Sequence, residues 1–100
     1  MGITVLTNQA SAPVSLELKV INDLGIHARV AAKIAGKVQE FDCEVTLRKG
    51  DISVEGDSVL SILTLDAPKG TTVRVSAQGP QANEALAALE RMFTSGFGDI

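Results

Sequence analysis

The chain has 100 residues, of which 45% are hydrophobic, and its twelve acidic and nine basic residues give a net charge of −3. This length fits one domain with one core, and the scattered charges argue against a nucleic-acid-binding or lipid-binding protein, so we expect protein partners. No apolar run approaches the roughly 20 residues of a membrane-spanning helix, and the first residues lack the features of a secretory signal, so we expect a cytoplasmic protein without membrane insertion.

The two ends of the chain differ in pattern from its middle. Residues 1–14 are mostly small and polar, and we interpret them as a flexible N-terminal lead-in. A folded domain is expected over residues 15–95, with a short C-terminal tail at residues 96–100. The single cysteine, Cys43, excludes an internal disulfide and is expected to be a small buried hydrophobic residue.

Strand and helix patterns alternate through the first half of the domain. From Ser15 apolar and polar residues alternate, which is typical of a half-buried strand. After a loop that contains Gly25, apolar residues recur at helical spacing from Ala28 onward. Two further alternating segments, at residues 43–47 and 52–54, flank a tight turn and predict a β-hairpin.

The second half adds a short helix, a strand and a longer helix. Ser58 can accept a hydrogen bond from a free amide of a first helical turn, and the helix is expected over residues 59–65. Alternation at residues 73–77 predicts a fourth strand, and Gly79 and Pro80 precede the last helix. The order is βαββαβα. Each helix has one apolar stripe to bury, so we predict an α+β open-faced sandwich in which three helices cover one face of a four-stranded antiparallel sheet.

The only histidine, His27, lies directly before the first predicted helix. Out of context a lone histidine is more often structural, but here the ring can lie over first-turn amides such as those of Ala28 and Val30, which attract anions together with the helix dipole. The same positive end disfavours the protonated ring and leaves a neutral nucleophile. Arg29 adds a planar donor fork that suits phosphoryl oxygens. These residues predict a site for a phosphoryl group.

Two segments carry a resemblance to a known family. Residues 22–31, NDLGIHARVA, resemble the active-site segment of the HPr family, the histidine phosphocarriers of the bacterial phosphoenolpyruvate-dependent phosphotransferase system. Residues 56–65, GDSVLSILTL, resemble its second motif, and Lys69 with Gly70 stand where the family has a Lys-Gly pair. The resemblance covers about residues 15–93 and implies the HPr-like fold. It also implies a phosphoryl carrier rather than a true enzyme, for which we expect no cofactor and no metal.

The resemblance assigns partners and roles as well. It implies that enzyme I phosphorylates His27 on Nδ1, that Arg29 stabilises the transferring group, and that enzyme IIA domains of sugar transporters receive it. Ser58 resembles the serine that an HPr kinase/phosphorylase modifies in many members, although a simple helix cap explains a serine there equally well. An exposed docking patch beside the site would consist of Val59, Leu60 and Leu63. We expect a monomer.

The chain departs from the family at two of these positions. Val30 replaces a proline that would fix φ and preorganise the helix start, so we expect a start that frays and a slower transfer. Asp57 replaces a lysine and would repel a phosphate on Ser58. Three alternatives stay open: a carrier of the nitrogen-related branch, a regulatory HPr-like binding module with weakened transfer, and an anion-binding domain without a protein partner.

Overall fold

The element order predicted from the sequence is confirmed. The structure, a computed structural model, describes residues 12–99. Its strands are β1 (Val14–Lys19), β2 (Glu44–Lys49), β3 (Ile52–Glu55) and β4 (Thr72–Gln78). Its helices are α1 (Ala28–Val38), α2 (Val59–Leu63) and α3 (Ala82–Thr94), followed by a 3-10 turn at Gly96–Gly98. Of the lead-in, residues 1–11 lie outside the described residues, and Val14 already belongs to β1.

The four strands form one antiparallel sheet in the order β1-β4-β2-β3. The last strand therefore lies in the middle, where Val75 pairs with Leu16 on one side and Leu47 on the other. The hairpin of β2 and β3 continues the sheet to its far edge. This arrangement is the antiparallel sheet that the sequence predicts.

Alternate residues of each strand face a core that the helices close. Leu18, Leu47, Val73 and Val75 are buried on this face, and Ile34 of α1 packs into the same core. Polar residues between them point to the opposite, exposed face, which carries the following residues: Glu17, Lys19, Thr46, Arg48, Arg74 and Gln78. Burial of one face and hydration of the other explain the period of two in the sequence.

Two local features differ from the prediction. Helix α2 ends at Leu63 rather than Leu65, because the chain then turns into Asp66, whose φ of 54° is left-handed. Cys43 is half-buried against the core rather than fully buried, and its pKa is raised by burial and by Asp42 and Glu84, so the thiol is a poor nucleophile.

The expected C-terminal tail packs on the domain over its described part. Phe97 is buried, and its ring lies edge-to-face with Phe93 at a centroid distance of 4.8 Å. Gly96, Phe97 and Gly98 all have positive φ, and this run of left-handed residues turns the chain back from the end of α3. Burial of the phenyl ring holds this turn in place, and Asp99 follows it directly.

Candidate functional site

A packed loop positions His27 at the start of α1. Asn22 is fully buried, and its Nδ2 donates to the carbonyl of Gly25 at 2.8 Å. Gly25 has a φ of 69°, and a Cβ there would lie 2.5 Å from the carbonyl oxygen of Ala67. The amide of Ile26 donates to the same carbonyl at 2.9 Å. The loop is therefore held against the segment after α2, and the next residue is placed with it.

His27 is the N-cap residue of α1, with an extended backbone at φ −99° and ψ −176°. Its carbonyl accepts the first helical hydrogen bond from the amide of Ala31 at 2.8 Å. The amides of Ala28, Arg29 and Val30 precede that bond and have no acceptor within the helix. His27 itself makes no side-chain cap to them. Such amides, at the positive end of a helix, are suited to bind an anion.

Ala28 and Val30 contribute to this helix start in different ways. The side chain of Ala28 is exposed, whereas that of Val30 is completely buried in the core. A helical start at Ala28 is therefore compatible with valine in place of the family's proline, because Val30 anchors the first turn from below by packing. Its side chain takes no part in the anion site, and only its amide faces the start of the helix.

A carboxylate brings three positively charged or ionisable groups together. Nε2 of His27 and Nη2 of Arg29 each lie 3.0 Å from Oδ2 of Asp99, and Nζ of Lys33 lies 3.8 Å from its Oδ1. Lys33 also donates to the carbonyl of Phe97 at 2.8 Å. The side chain of Asp99 is 10% exposed, against 62% for Arg29. The hydrogen bond from Arg29, and after it the one with His27, lowers the pKa of Asp99, so this carboxyl is ionised.

Ser58 lies in the second motif and caps α2. Its Oγ accepts a hydrogen bond from the amide of Ser61 at 3.2 Å, and the residue is half-buried. The helix cap expected from the sequence is thus present. The neighbouring Asp57 is exposed.

The three residues expected to form a docking patch differ in exposure. Leu60 is 78% exposed, whereas Val59 and Leu63 are half-buried and pack against the core. Leu24, in the loop before His27, is 74% exposed, and the sequence analysis did not single it out. Leu60 is therefore the residue of the expected patch that is most available to a partner.

Two residues of the site escaped the sequence analysis. Lys33 follows Arg29 by four positions, so the helical spacing that places both on one face was a usable signal. Asp99 gave no signal, because the turn that returns it to His27 depends on burial of Phe97 and on three successive left-handed residues. Asn22 belongs to the segment that resembles the family's active site, but its complete burial was not predicted.

Two features of other classes of protein are absent from the described residues. Within residues 12–99, no three His, Cys, Asp or Glu side chains are grouped in a way that could hold a metal ion. In the same part of the chain, no helix is both long and apolar enough to cross a membrane.

Comparison with known proteins identifies relatives along most of the chain. The family model for the PTS HPr component phosphorylation site matches residues 14–95. The phosphocarrier protein NPr of Escherichia coli strain K12 is 45% identical over 83 residues, which cover 82% of this chain and 92% of that protein. The phosphocarrier protein HPr of Pseudomonas aeruginosa is 37% identical over 86 residues, which cover 85% of this chain and 96% of that protein.

Solved structures show the same fold. A crystal structure of HPr-C-His from Thermoanaerobacter tengcongensis matches with a TM-score of 0.83 and 29% identity, covering 87% of this chain and 98% of that one. A crystal structure of an HPr dimer from the same organism matches with a TM-score of 0.69 and 31% identity, covering 81% and 93% of the two chains. The family model spans both sequence motifs and the whole sheet. The chain therefore belongs to the HPr family of phosphocarrier proteins.

Proposed function

We propose that His27 is the residue that carries the phosphoryl group, with Arg29 as its electrostatic partner. The observation that supports this role is that Nε2 of His27 and Nη2 of Arg29 lie 3.0 Å from one carboxylate oxygen at the start of α1. Both side chains can therefore face one oxyanion. The amides of the first helical turn lie beside them and offer further donors to phosphoryl oxygens.

The chemistry requires positioning more than it requires turnover of a small substrate. A ring nitrogen attacks the phosphorus of a phosphorylated donor, the bond between phosphorus and the donor breaks, and its electron pair stays with the donor. Since the phosphoryl group carries negative charge throughout, Arg29 and the helix start stabilise it electrostatically. The bond to the ring nitrogen remains labile, which allows the group to move on to an acceptor.

We further propose enzyme I as the donor and an enzyme IIA domain as the acceptor, as the family resemblance implies. Identity to the carrier named NPr, at 45%, exceeds that to the carrier named HPr, at 37%. This difference favours the nitrogen-related branch over sugar transport. A cytoplasmic location belongs to the same proposal, because phosphoenolpyruvate is a metabolite of the cytoplasm.

Transfer from purified enzymes tests the donor and the branch. The protein is incubated with labelled phosphoenolpyruvate and enzyme I from either the sugar or the nitrogen branch, and acid-labile, base-stable label is measured. We expect faster labelling by the nitrogen-branch enzyme, and no label on a His27→Ala variant. Equal or faster labelling by the sugar-branch enzyme would assign the protein to sugar transport. If the wild-type protein stays unlabelled while both donors are active on their own carriers, the regulatory binding module becomes the favoured function.

Regulation at Ser58 is a separate proposal. The hydroxyl is half-buried and already accepts a bond from the amide of Ser61, so a kinase has to displace that contact. A phosphate at a helix N-terminus is favourable, but the carboxylate of Asp57 opposes it. We expect an HPr kinase to modify Ser58 more readily in an Asp57→Lys variant, as measured by mass spectrometry. Absence of modification in both proteins would contradict regulation at Ser58.

The proposed carrier acts as a monomer, because it has to expose one site to two partners in turn. Light scattering after size-exclusion chromatography tests this state at increasing concentration. A mass of two chains at all concentrations would instead relate the protein to the HPr dimer of Thermoanaerobacter tengcongensis.

A further inference from the structure

The contact between His27 and Asp99 restricts where the ring carries its proton. An ionised carboxylate only accepts hydrogen bonds, so the Nε2 that lies 3.0 Å from Oδ2 of Asp99 has to be the protonated nitrogen. In the neutral ring the other nitrogen, Nδ1, is then without a proton and has a free electron pair. The nucleophilic nitrogen is therefore selected by a residue 72 positions further along the chain.

We propose that Asp99 is a positioning residue for phosphoryl transfer through His27. Its carboxylate accepts from Nε2–H, which leaves Nδ1 to form the bond to phosphorus, and it keeps the proton on Nε2 while the ring is phosphorylated. This inference rests on the proposed function of His27. It assigns to the C-terminal turn the same role that a carboxylate has beside the histidine of a hydrolase triad, namely to fix the tautomer and stabilise the ring cation.

The balance of charge in the reaction explains why the proton matters. When Nδ1 of the neutral ring attacks phosphorus, the new N–P bond forms and the donor's bond to phosphorus breaks with its electron pair. The ring keeps the Nε2 proton and gains a formal positive charge, which the carboxylate of Asp99 compensates. On transfer to the acceptor the N–P bond breaks, its electron pair returns to Nδ1, and a neutral imidazole leaves. Without the Nε2 proton an anionic ring would have to leave.

The surroundings of Asp99 suit this role. The carboxylate is 10% exposed and is held by a turn that buried Phe97 anchors, so it is placed before any partner arrives. Arg29 and Lys33 of α1 are the other charged groups in contact with it, and both oppose a positive charge on the ring. The ion pair between Asp23, in the loop before His27, and Lys69, after α2, adds one charge of each sign and so no net charge. Asp99 is thus the anion in contact with the ring among the described residues.

The inference is tested on the full chain, loaded chemically so that no partner enzyme is needed. Phosphoramidate phosphorylates the ring with loss of ammonia, and ¹⁵N resonances of His27 identify which ring nitrogen is bonded to phosphorus and which one carries the proton. In wild-type protein we expect modification of Nδ1. In Asp99→Asn we expect the label to be divided between Nδ1 and Nε2, because an amide can both donate and accept a hydrogen bond and so no longer fixes the tautomer.

Two further variants separate positioning from folding. Asp51→Asn makes the same chemical change at an exposed hairpin turn, and it should leave the label on Nδ1 as in wild type. Asp99→Glu restores the carboxylate and should return the label to Nδ1. Transfer from the loaded ring to enzyme IIA should fall about tenfold in Asp99→Asn, as when a carboxylate that orients a metal-binding histidine is removed.

The outcomes distinguish this inference from the proposed function. If Asp99→Asn and Asp51→Asn are modified on the same nitrogen, Asp99 does not position the ring, whether or not His27 carries phosphate in the cell. If the modified nitrogen depends on Asp99 but enzyme I never labels wild-type protein, the positioning role stands and the phosphocarrier assignment of His27 fails.

Discussion

At the scale of single residues, Gly25 shows how backbone chemistry places the site. Its φ of 69° is left-handed, and an added Cβ would approach the carbonyl of Ala67 to 2.5 Å. Gly50, in the hairpin turn, has a similar φ of 58°, but nothing lies within 4 Å of the position of its Cβ. Substitution of either glycine thus strains the backbone, but only at Gly25 would the added Cβ also collide with neighbouring atoms.

We therefore predict that Gly25→Ala destabilises the fold more than Gly50→Ala does. Both variants lose the conformational freedom of glycine, at about 1 kcal/mol. Only the first also has to displace the chain at Ala67, so its total cost should reach about 2–4 kcal/mol. Urea denaturation measures both free energies of unfolding. Equal values would mean that the loop before His27 yields easily and does not fix the ring.

Asp99 supplies a prediction on pH. Hydrogen bonds from Arg29 and His27 lower its pKa in the folded state, so its contribution to stability is present above the ordinary pKa of aspartate and is lost as the pH falls through the lowered value. An Arg29→Ala variant loses the larger of these causes. We expect the pKa of Asp99 to rise toward its ordinary range, as measured by NMR of the side-chain carboxyl carbon.

Asp23 provides an internal reference for that titration. Its pKa is also lowered, but by the hydrogen bond and charge of Lys69 rather than by Arg29. The Arg29→Ala substitution should therefore leave Asp23 unchanged while Asp99 shifts. A parallel shift of both pKa values would indicate a general effect of net charge and would contradict a specific contact between Arg29 and Asp99.

At the scale of elements, Val30 has two roles at the start of α1. Its amide belongs to the first turn that faces the anion site, and its side chain is completely buried in the core. The family's proline would fix the backbone there but cannot fill the same space as valine. Valine at this position thus improves core packing but leaves the helix start less preorganised than proline would.

We predict opposite effects of proline on rate and stability. Val30→Pro should speed phosphorylation of His27, because the helix start is restricted before the group arrives, and should lower the free energy of unfolding by about 1–3 kcal/mol. Val30→Ala loses buried volume in the same place without restricting φ. Rates are measured by labelling and stability by urea denaturation. Equal rates for the two variants would show that preorganisation of this turn does not limit transfer.

Helix α2 presents a second surface: it packs against α1, and the segment that follows it accepts a hydrogen bond at Ala67 from the amide of Ile26 in the loop before His27. Leu60 is 78% exposed and therefore contributes little to the core. An exposed apolar side chain of this size is suited to contact a partner. We expect Leu60→Ser to raise the KM for transfer to enzyme IIA severalfold, since it removes apolar area from the docking patch, with little change in kcat or stability. An unchanged KM would place docking elsewhere, for example at Leu24.

At the scale of the whole molecule, periodicity was sufficient for the architecture. Alternation at Leu16 and Leu18 and helical spacing from Ala28 reflect burial on one face, and burial is also what pairs the strands and closes the sheet. His27 and Arg29 could be proposed from the sequence because their chemistry is local to one helix start. Asp99 was not found because its position depends on tertiary packing of the last turn, for which the sequence has no periodic signal.

The claim that His27 carries a phosphoryl group between two proteins can be tested by ³¹P NMR of the loaded chain. After enzyme I and phosphoenolpyruvate are added, we predict one phosphohistidine resonance, assigned to Nδ1 of His27, which disappears when enzyme IIA is added. A spectrum without a phosphohistidine signal, or a signal that persists in the presence of active enzyme IIA, would contradict the claim.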